Sequence, residues 1–207
     1  MFYGQHAEDV YIASLFPSDY IGVCIEVGAY DGSTMSNTYH FEQKGWRALC
    51  IEPIPSCFDE CRKIRKESIN CCIGTIDAED LNFYIFHIGS NLSAITSLIP
   101  DSRLIESHRH LIEKTTLCKV KVRSLNSLLV ELNYPIEIDF ISIDTENTEL
   151  DVLKGLDLNK YNVKLFVIEN NYDEPACGDY LKQYEYTKIN RIAVNDFYIK
   201  DTLSTLP

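Results

Sequence analysis

Acidic and amide side chains recur directly after the apolar runs of this 207-residue chain. These residues are Asp31, Glu52, Asp144, Glu146, Glu169 and Asn170. If the runs are strands of a parallel sheet, their carboxyl ends meet at one edge, which is where such sheets bind ligands. Carboxylates at that edge can accept hydrogen bonds from hydroxyl groups, take up a proton or hold a hard cation. The pattern therefore predicts one acidic site at this edge.

Alternating strands and helices must bring these side chains together. Apolar runs predict strands at 21–27, 47–51, 68–76, 136–143 and 164–168, and helical patterns lie between them at 36–44, 55–64, 124–132 and 148–154. This alternation predicts an α/β fold with a central, mostly parallel sheet flanked by helices. Residues 184–190 and 196–200 predict a C-terminal antiparallel hairpin.

The sequence predicts a single domain over residues 1–207. This domain has three further predicted features. Residues 81–86 predict an additional strand, antiparallel to the one just before it. Residues 91–118 predict a substrate-side loop followed by a helix near 106–113. Ser124 is the expected cap of the helix at 124–132. Thr148 is the expected cap of the helix at 148–154, with Asp151 three residues later as its capping partner.

Composition excludes several classes of protein. The chain is 45% apolar and 24% charged, as ordinary globular proteins are, and its net charge of -12 argues against a nucleic-acid partner. No signal peptide and no membrane span are evident in the sequence, so we predict a soluble cytoplasmic protein with no membrane partner. Cys24 and Cys50 lie in strand-like runs, which predicts free buried thiols, and His108 and His110 are spaced wrongly for a metal site.

The glycine turn after the first strand distinguishes between cofactors. A dinucleotide site needs three spaced glycines, whereas Asp31 here stands close to only two, Gly28 and Gly32. A carboxylate at that turn repels pyrophosphate but suits S-adenosylmethionine, which has no phosphate and carries positive charge on its sulfonium and ammonium groups. Glu52 can bind two ribose hydroxyls. The residues therefore favour methyl transfer over hydride transfer.

The sequence also resembles the FkbM-type methyltransferases. The similarity is carried by residues 3–9, 25–32, 36–38, 44–46, 51–53, 138–146, 149–154 and 167–169, in the order and spacing of that family. One difference is Asn147, where the family usually has glycine. Asparagine is the next best residue for a left-handed backbone, so we expect the turn to be retained.

This resemblance implies a Rossmann-like class I methyltransferase fold and S-adenosylmethionine as cofactor. It implies methylation of a hydroxyl on a sugar, glycan or other small polar metabolite. It also implies site residues, with residues 1–20 folded over the cofactor. The implied cofactor-binding residues are Glu26, Gly28, Ala29, Asp31 and Gly32 on the methionine side, Glu52 at the ribose and Asp77 at the adenine. The implied acceptor-side residues are Asn37 and Ser93, although a role in the first turn of its helix is the favoured explanation of Asn37.

Asp144 and Glu146 are the predicted catalytic residues, and two interpretations of Asp144 stay open. In the first, Asp144 is a base or hydrogen-bond partner for the acceptor hydroxyl. In the second, Asp144, Glu169 and Asn170 hold magnesium or calcium. The metal-free interpretation is favoured. The alternative functions are a catalytically inactive binding module and, more remotely, a dinucleotide-dependent oxidoreductase.

Overall fold

The computed structural model describes residues 1–88, 91–97, 106 and 108–201 of the chain. The helices are α1 (Glu8–Ser14), α2 (Tyr39–Gln43), α3 (Pro55–Ile64), α4 (Leu125–Glu131), α5 (Glu149–Lys154) and α6 (Ala176–Lys182). The strands are β1 (Val23–Val27), β2 (Arg47–Ile51), β3 (Glu67–Ile69), β4 (Cys72–Gly74), β5 (Ala78–Ile88), β6 (Asn91–Ser97), β7 (Ile112–Ser124), β8 (Glu137–Ile143), β9 (Asn162–Glu169), β10 (Tyr186–Ile192) and β11 (Asn195–Lys200).

A seven-stranded sheet in the order β10-β11-β9-β8-β1-β2-β3 forms the centre of the fold. The strands from β9 to β3 are all parallel, and β11 runs antiparallel to both β9 and β10. The central strands are buried along nearly their whole length, as expected for a parallel sheet covered on both faces. The predicted parallel sheet and C-terminal hairpin are therefore confirmed.

A second sheet in the order β4-β7-β5-β6 corrects two of the predicted strands. The run at 68–76 is not one strand, because β3 joins the first sheet and β4 joins the second. The strand predicted at 81–86 is the longer β5, and it pairs antiparallel with β6 and β7 rather than with the strand before it. The turn between β4 and β5 therefore does not form a hairpin.

The loop and helix predicted for residues 91–118 are wrong over much of that range. Much of the predicted loop and helix is strand, since Asn91–Ser97 forms β6 and β7 begins at Ile112. Along β7 most side chains are exposed or half-buried, and the first fully buried one is Val120. Because so few of its side chains are apolar, this strand shows little alternation of apolar and polar residues in the sequence. Residues 98–105 and 107 lie outside the described residues.

Helices pack on both faces of the seven-stranded sheet. One face is covered by apolar side chains of α4, α5 and α6, the other by those of α1 and α2, including Phe41 beside Trp46 and Phe140. The second sheet packs against the start of α3 through Ile54 and Phe83. This contact places the second sheet beside the carboxyl ends of β1 and β2.

The predictions on the cysteines and on membrane spans concern features that the structure describes. All eight cysteines are free thiols, and six of them are buried. Among the described residues, no helix has both the length and the apolar character that a membrane span requires.

Candidate active site

A cavity of about 320 Å³ lies at the carboxyl ends of β1, β2 and β8. The predicted residues that line it are Glu26, Gly28, Ala29, Glu52, Asp144 and Glu146. The structure thus brings together side chains that are more than 100 positions apart in the sequence. The cavity occupies the edge of the sheet where the sequence placed the acidic site.

Gly28 sits at the point where three strand ends meet. Its φ of 89° is left-handed, and a Cβ atom there would lie 1.8 Å from the carbonyl oxygen of Asp144. The N–H groups of Gly28 and Ala29 both donate to the carbonyl of Ile51, at 2.9 and 3.1 Å, while Asp144 N–H donates to the carbonyl of Val27 at 3.0 Å. Only glycine fits this contact.

Asp31 and Gly32 do not line the cavity. The Asp31 carboxylate accepts hydrogen bonds from the N–H of Ser33 at 2.8 Å and of Thr34 at 2.7 Å. Burial acts to raise the pKa of Asp31, but these bonds and those of the two hydroxyls hold it below its ordinary value. A Cβ at Gly32 would lie 2.8 Å from the Arg65 side chain. The described contacts of Asp31 and Gly32 are therefore with the turn and with Arg65.

Glu52 is buried at the end of β2, with 4% of its surface exposed. Its two carboxylate oxygens accept from the N–H groups of Tyr30 and Ile54, each at 2.8 Å. Burial raises its pKa to about 7, the two amide bonds oppose this shift, and the charge of Asp144 adds to it. A carboxylate has about four acceptor positions, so capacity for two more donors remains at the cavity wall.

Glu26 is buried in a polar network rather than held by one partner. One oxygen accepts from Asn37 N–H at 2.7 Å, and the other accepts from the hydroxyls of Ser36 and Thr38, both at 2.7 Å. These contacts explain why α2 begins at Tyr39, later than predicted. Asn37 does not line the cavity, and its amide donates to Ser142 at 3.0 Å. Because α2 has no side-chain cap hydrogen bond, the helix-start interpretation of Asn37 is not supported, and its acceptor-side role stays a prediction.

Arg65 completes this network, and the sequence analysis missed it. Its side chain is fully buried between two carboxylates, forming an ion pair with Glu42 and lying 3.3 Å from Glu26. It also donates to the carbonyl of Gly32 at 2.8 Å and to the Thr38 hydroxyl at 2.7 Å. In the sequence, Arg65 is one of four basic residues near the end of a helix, and nothing marks it as buried.

Asp144 and Glu146 project from the turn after β8. The side chain of Asp144 is accessible through the cavity although it lies deep in the fold, and burial together with the charge of Glu149 raises its pKa to about 7. The backbone is left-handed at Glu146 (φ 57°) and Asn147 (φ 78°). The left-handed conformation predicted for Asn147 is confirmed.

The buried carboxylate of Glu149 holds this turn in place. It accepts from the N–H groups of Thr145 at 3.0 Å and Asn147 at 3.1 Å. The predicted cap by Thr148 is wrong, since the Thr148 hydroxyl donates to the carbonyl of Thr145 and makes no cap hydrogen bond. At α4, by contrast, Ser124 accepts from Ser127 N–H and is a cap as predicted.

One of the three proposed metal ligands, Asn170, is bonded to other partners. The amide of Asn170 donates to Asp196 at 2.9 Å and to the carbonyl of Glu174 at 2.9 Å, and its oxygen accepts from Glu174 N–H. Within the described part of the chain, no three acidic, cysteine or histidine side chains are grouped as a metal site. The metal interpretation of Asp144, Glu169 and Asn170 is therefore not supported by the residues present.

Asp77 is not among the residues that line the cavity. Its carboxylate accepts from Ser124 N–H at 2.7 Å and the Ser127 hydroxyl at 2.6 Å, and it pairs with Arg123 at 3.1 Å. These partners lower its pKa to about 2. The described contacts of Asp77 therefore anchor the start of α4, and its role in adenine binding stays a prediction.

Beside α3 and the second sheet, the cavity is lined by residues that the sequence analysis did not select. They are Ile54, Cys71, Cys72, Ile73 and Phe83. Cys71 and Cys72 follow the end of β3. The sequence analysis placed both inside one strand over 68–76, so it did not recognise them as lying after a strand end. Ser93, predicted on the acceptor side, lies on β6 of the second sheet.

The N-terminal segment reaches the rim of the cavity. Tyr3 N–H donates to Asp9 at 2.5 Å, and His6 N–H donates to Glu8 at 2.7 Å, so two buried carboxylates of α1 hold the segment. Gly4 pairs with Met35, which lines the cavity. That residues 1–20 cover a bound cofactor stays a prediction.

Comparison with known proteins identifies the family. The Methyltransferase FkbM domain matches residues 26–192. A search of curated proteins gave no match. The structure of methyltransferase FkbM from Methylobacillus flagellatus KT aligns with a TM-score of 0.52 and 12% identity, over 93% of this chain and 50% of that one. The chain thus spans half the length of that relative.

Two other solved structures align less closely. TrmK of M. capricolum, in complex with S-adenosyl-homocysteine, gives a TM-score of 0.46 with 10% identity, over 92% of this chain and 65% of that one. The N-terminal domain of human METTL16 with the same molecule gives 0.44 with 12% identity, over 92% and 66%. The match of the family domain over most of the chain, on the class I methyltransferase fold predicted for it, shows that this chain belongs to the FkbM methyltransferase family.

Proposed function

We propose that this protein is an S-adenosylmethionine-dependent methyltransferase that methylates a hydroxyl group of a sugar, glycan or other small polar metabolite. The main observation in support is that the buried Glu52 and the acidic turn at Asp144 and Glu146 line the same cavity. Membership of the FkbM family supports the reaction class. The net charge of -12 favours a small acceptor over a nucleic acid.

The chemistry of the cavity fits S-adenosylmethionine, which supplies the methyl group when bound. Glu52 has acceptor capacity for a pair of ribose hydroxyls. Among the described residues, the ionisable side chains that line the cavity include four carboxyls and no lysine or arginine. This composition suits a sulfonium and an ammonium group, and it offers no cation to the pyrophosphate of a dinucleotide.

Asp144 and Glu146 are the proposed acceptor-side residues. Asp144 would take up the proton of the acceptor hydroxyl, which makes its oxygen a nucleophile for the methyl group that bound S-adenosylmethionine would supply. Glu146 accepts a second hydrogen bond and orients the acceptor. Ala29, Gly28 and Glu26 shape the wall against which the methionine end is held.

The first expected result is selective binding of the cofactor. Titration calorimetry should show binding of S-adenosylmethionine or S-adenosylhomocysteine and none of NAD. Glu52→Ala should weaken binding by about 10- to 100-fold, the effect of losing hydrogen bonds to one charged acceptor. Binding should also weaken as the pH falls below about 7, because the protonated Glu52 carboxyl is a poorer acceptor.

Glu60→Ala is the matched control, since Glu60 is an exposed residue of α3 that forms a surface ion pair with Lys63. NAD binding without a response to S-adenosylmethionine would contradict the proposed function. Unchanged affinity in Glu52→Ala would show that Glu52 does not contact the ribose.

The second expected result concerns the acceptor. A screen of neutral sugars, glycans, nucleotide sugars and small polyols with radiolabelled methyl donor should transfer label to a hydroxyl oxygen, identified by mass spectrometry of the product. Label found only in protein or nucleic acid would exclude a small hydroxyl acceptor. Binding of the cofactor with no transfer to any compound would favour the inactive binding module.

A further inference from the structure

The glycine turn after β1 has three left-handed positions, and one of them holds a tyrosine. Gly28 and Gly32 have φ values of 89° and 84°, and Tyr30 between them has a φ of 48°. Glycine adopts this conformation freely and asparagine adopts it readily, whereas a bulky side chain rarely does. The left-handed backbone of Tyr30 must therefore be maintained by its surroundings.

The backbone of Tyr30 is bonded to the buried carboxylate of Glu52. The Tyr30 N–H donates to Glu52 Oε2 at 2.8 Å, while the N–H of Ile54 donates to Oε1 at 2.8 Å. One amide on each oxygen fixes the plane of the carboxylate. The left-handed backbone at Tyr30 is thus part of what orients Glu52 at the cavity wall.

The side chain of Tyr30 belongs to the apolar wall next to Glu52. It is half-buried, lines the cavity and packs against an apolar cluster that includes Ile54, Cys72 and Phe83. These three residues line the cavity as well. A nucleoside needs such an arrangement, with hydrogen-bond acceptors for its ribose hydroxyls beside an apolar, aromatic surface for its base.

We propose that Tyr30 is a cofactor-binding residue whose ring packs against the nucleoside of S-adenosylmethionine, and that its strained backbone is retained for this contact. The inference rests on the proposed function, in which Glu52 binds the ribose. Asparagine would suit the left-handed backbone better but would remove the ring. The ligand therefore explains a tyrosine that the turn alone does not.

Three variants separate the ring from the backbone. Tyr30→Phe keeps the ring, Tyr30→Asn removes it but suits the left-handed backbone, and Tyr30→Val removes it and opposes that backbone because valine is β-branched. The control is Tyr184→Asn, since Tyr184 is also half-buried but is not among the residues that line the cavity. Without any ligand, the urea midpoint should be lower for Tyr30→Val than for Tyr30→Asn.

Titration calorimetry then measures the contact with the ring. Tyr30→Phe should bind S-adenosylhomocysteine nearly as tightly as the wild type, and Tyr30→Asn about 10- to 100-fold more weakly, the effect of losing one contact between a base and an aromatic ring. Methylthioadenosine, which lacks the amino-acid part of the cofactor, should show the same loss. Tyr30→Val should bind more weakly still, because Glu52 then loses its fixed orientation.

Several results would overturn the inference. Affinity in Tyr30→Asn that is no lower than in Tyr184→Asn would show that the ring does not contact the ligand. A loss for S-adenosylhomocysteine but not for methylthioadenosine would place the ring at the methionine end. Equal urea midpoints for Tyr30→Val and Tyr30→Asn would show that the backbone is not strained.

Failure of the proposed function gives a different result. A wild-type protein that binds neither compound would refute the proposed function together with this inference. Binding by the wild type that Tyr30→Asn retains in full would refute this inference alone.

Discussion

Arg65→Met is expected to lower the free energy of unfolding by about 3–5 kcal/mol, the usual cost of removing one partner from a buried ion pair. Methionine retains much of the side-chain volume but leaves Glu42 and Glu26 buried without their cation. The carbonyl of Gly32 also loses its 2.8 Å donor. Such a loss is a large share of the stability of a typical domain.

Urea denaturation followed by circular dichroism measures this effect. The control is Arg62→Met, one turn earlier on α3, because Arg62 is 61% exposed and its pairing with Asp59 is worth little. If Arg65→Met shifted the urea midpoint no more than Arg62→Met, the network around Arg65 would not stabilise the fold. Arg65→Lys should recover only part of the loss, since one ammonium group cannot make all these contacts.

Asp144→Asn is expected to lower kcat by about 100- to 10,000-fold, the typical contribution of a positioned base. The amide has nearly the same size but cannot take up the acceptor proton. Affinity for S-adenosylmethionine should change little, because Glu52 and the turn at Gly28 remain in place. In the wild type, kcat/KM should fall as the pH drops below about 7, since protonation of Asp144 removes the base.

Single-turnover assays and calorimetry on the same preparations separate turnover from binding, with the exposed Asp19→Asn as control. Because the Asn170 side chain is already bonded to Asp196 and to the backbone of Glu174, a chelator should leave wild-type activity unchanged. Activity that is lost to a chelator and restored by magnesium would revive the metal interpretation. Full activity in Asp144→Asn would instead direct attention to Glu146.

The sequence by itself determined the central sheet and the position of the site. Strands β1, β2, β8 and β9 were predicted because a strand buried on both faces is a nearly continuous apolar run. The polar residue after each run then falls at the carboxyl edge of the sheet, where Glu52 and Asp144 indeed line the cavity. The turn at Gly28 was recognisable because glycine readily adopts left-handed backbone conformations that other residues avoid.

Only the tertiary structure decided which of these polar residues face the cavity. Asp31, Asp77 and Asn170 also follow predicted strands, but each has backbone N–H groups of a neighbouring turn or helix within reach and bonds to those instead. The second sheet and the burial of Arg65 were equally invisible, since a half-exposed strand lacks an apolar run and a buried arginine is identified only by its distant partners. These contacts join residues that are far apart in the sequence and meet only in the folded chain.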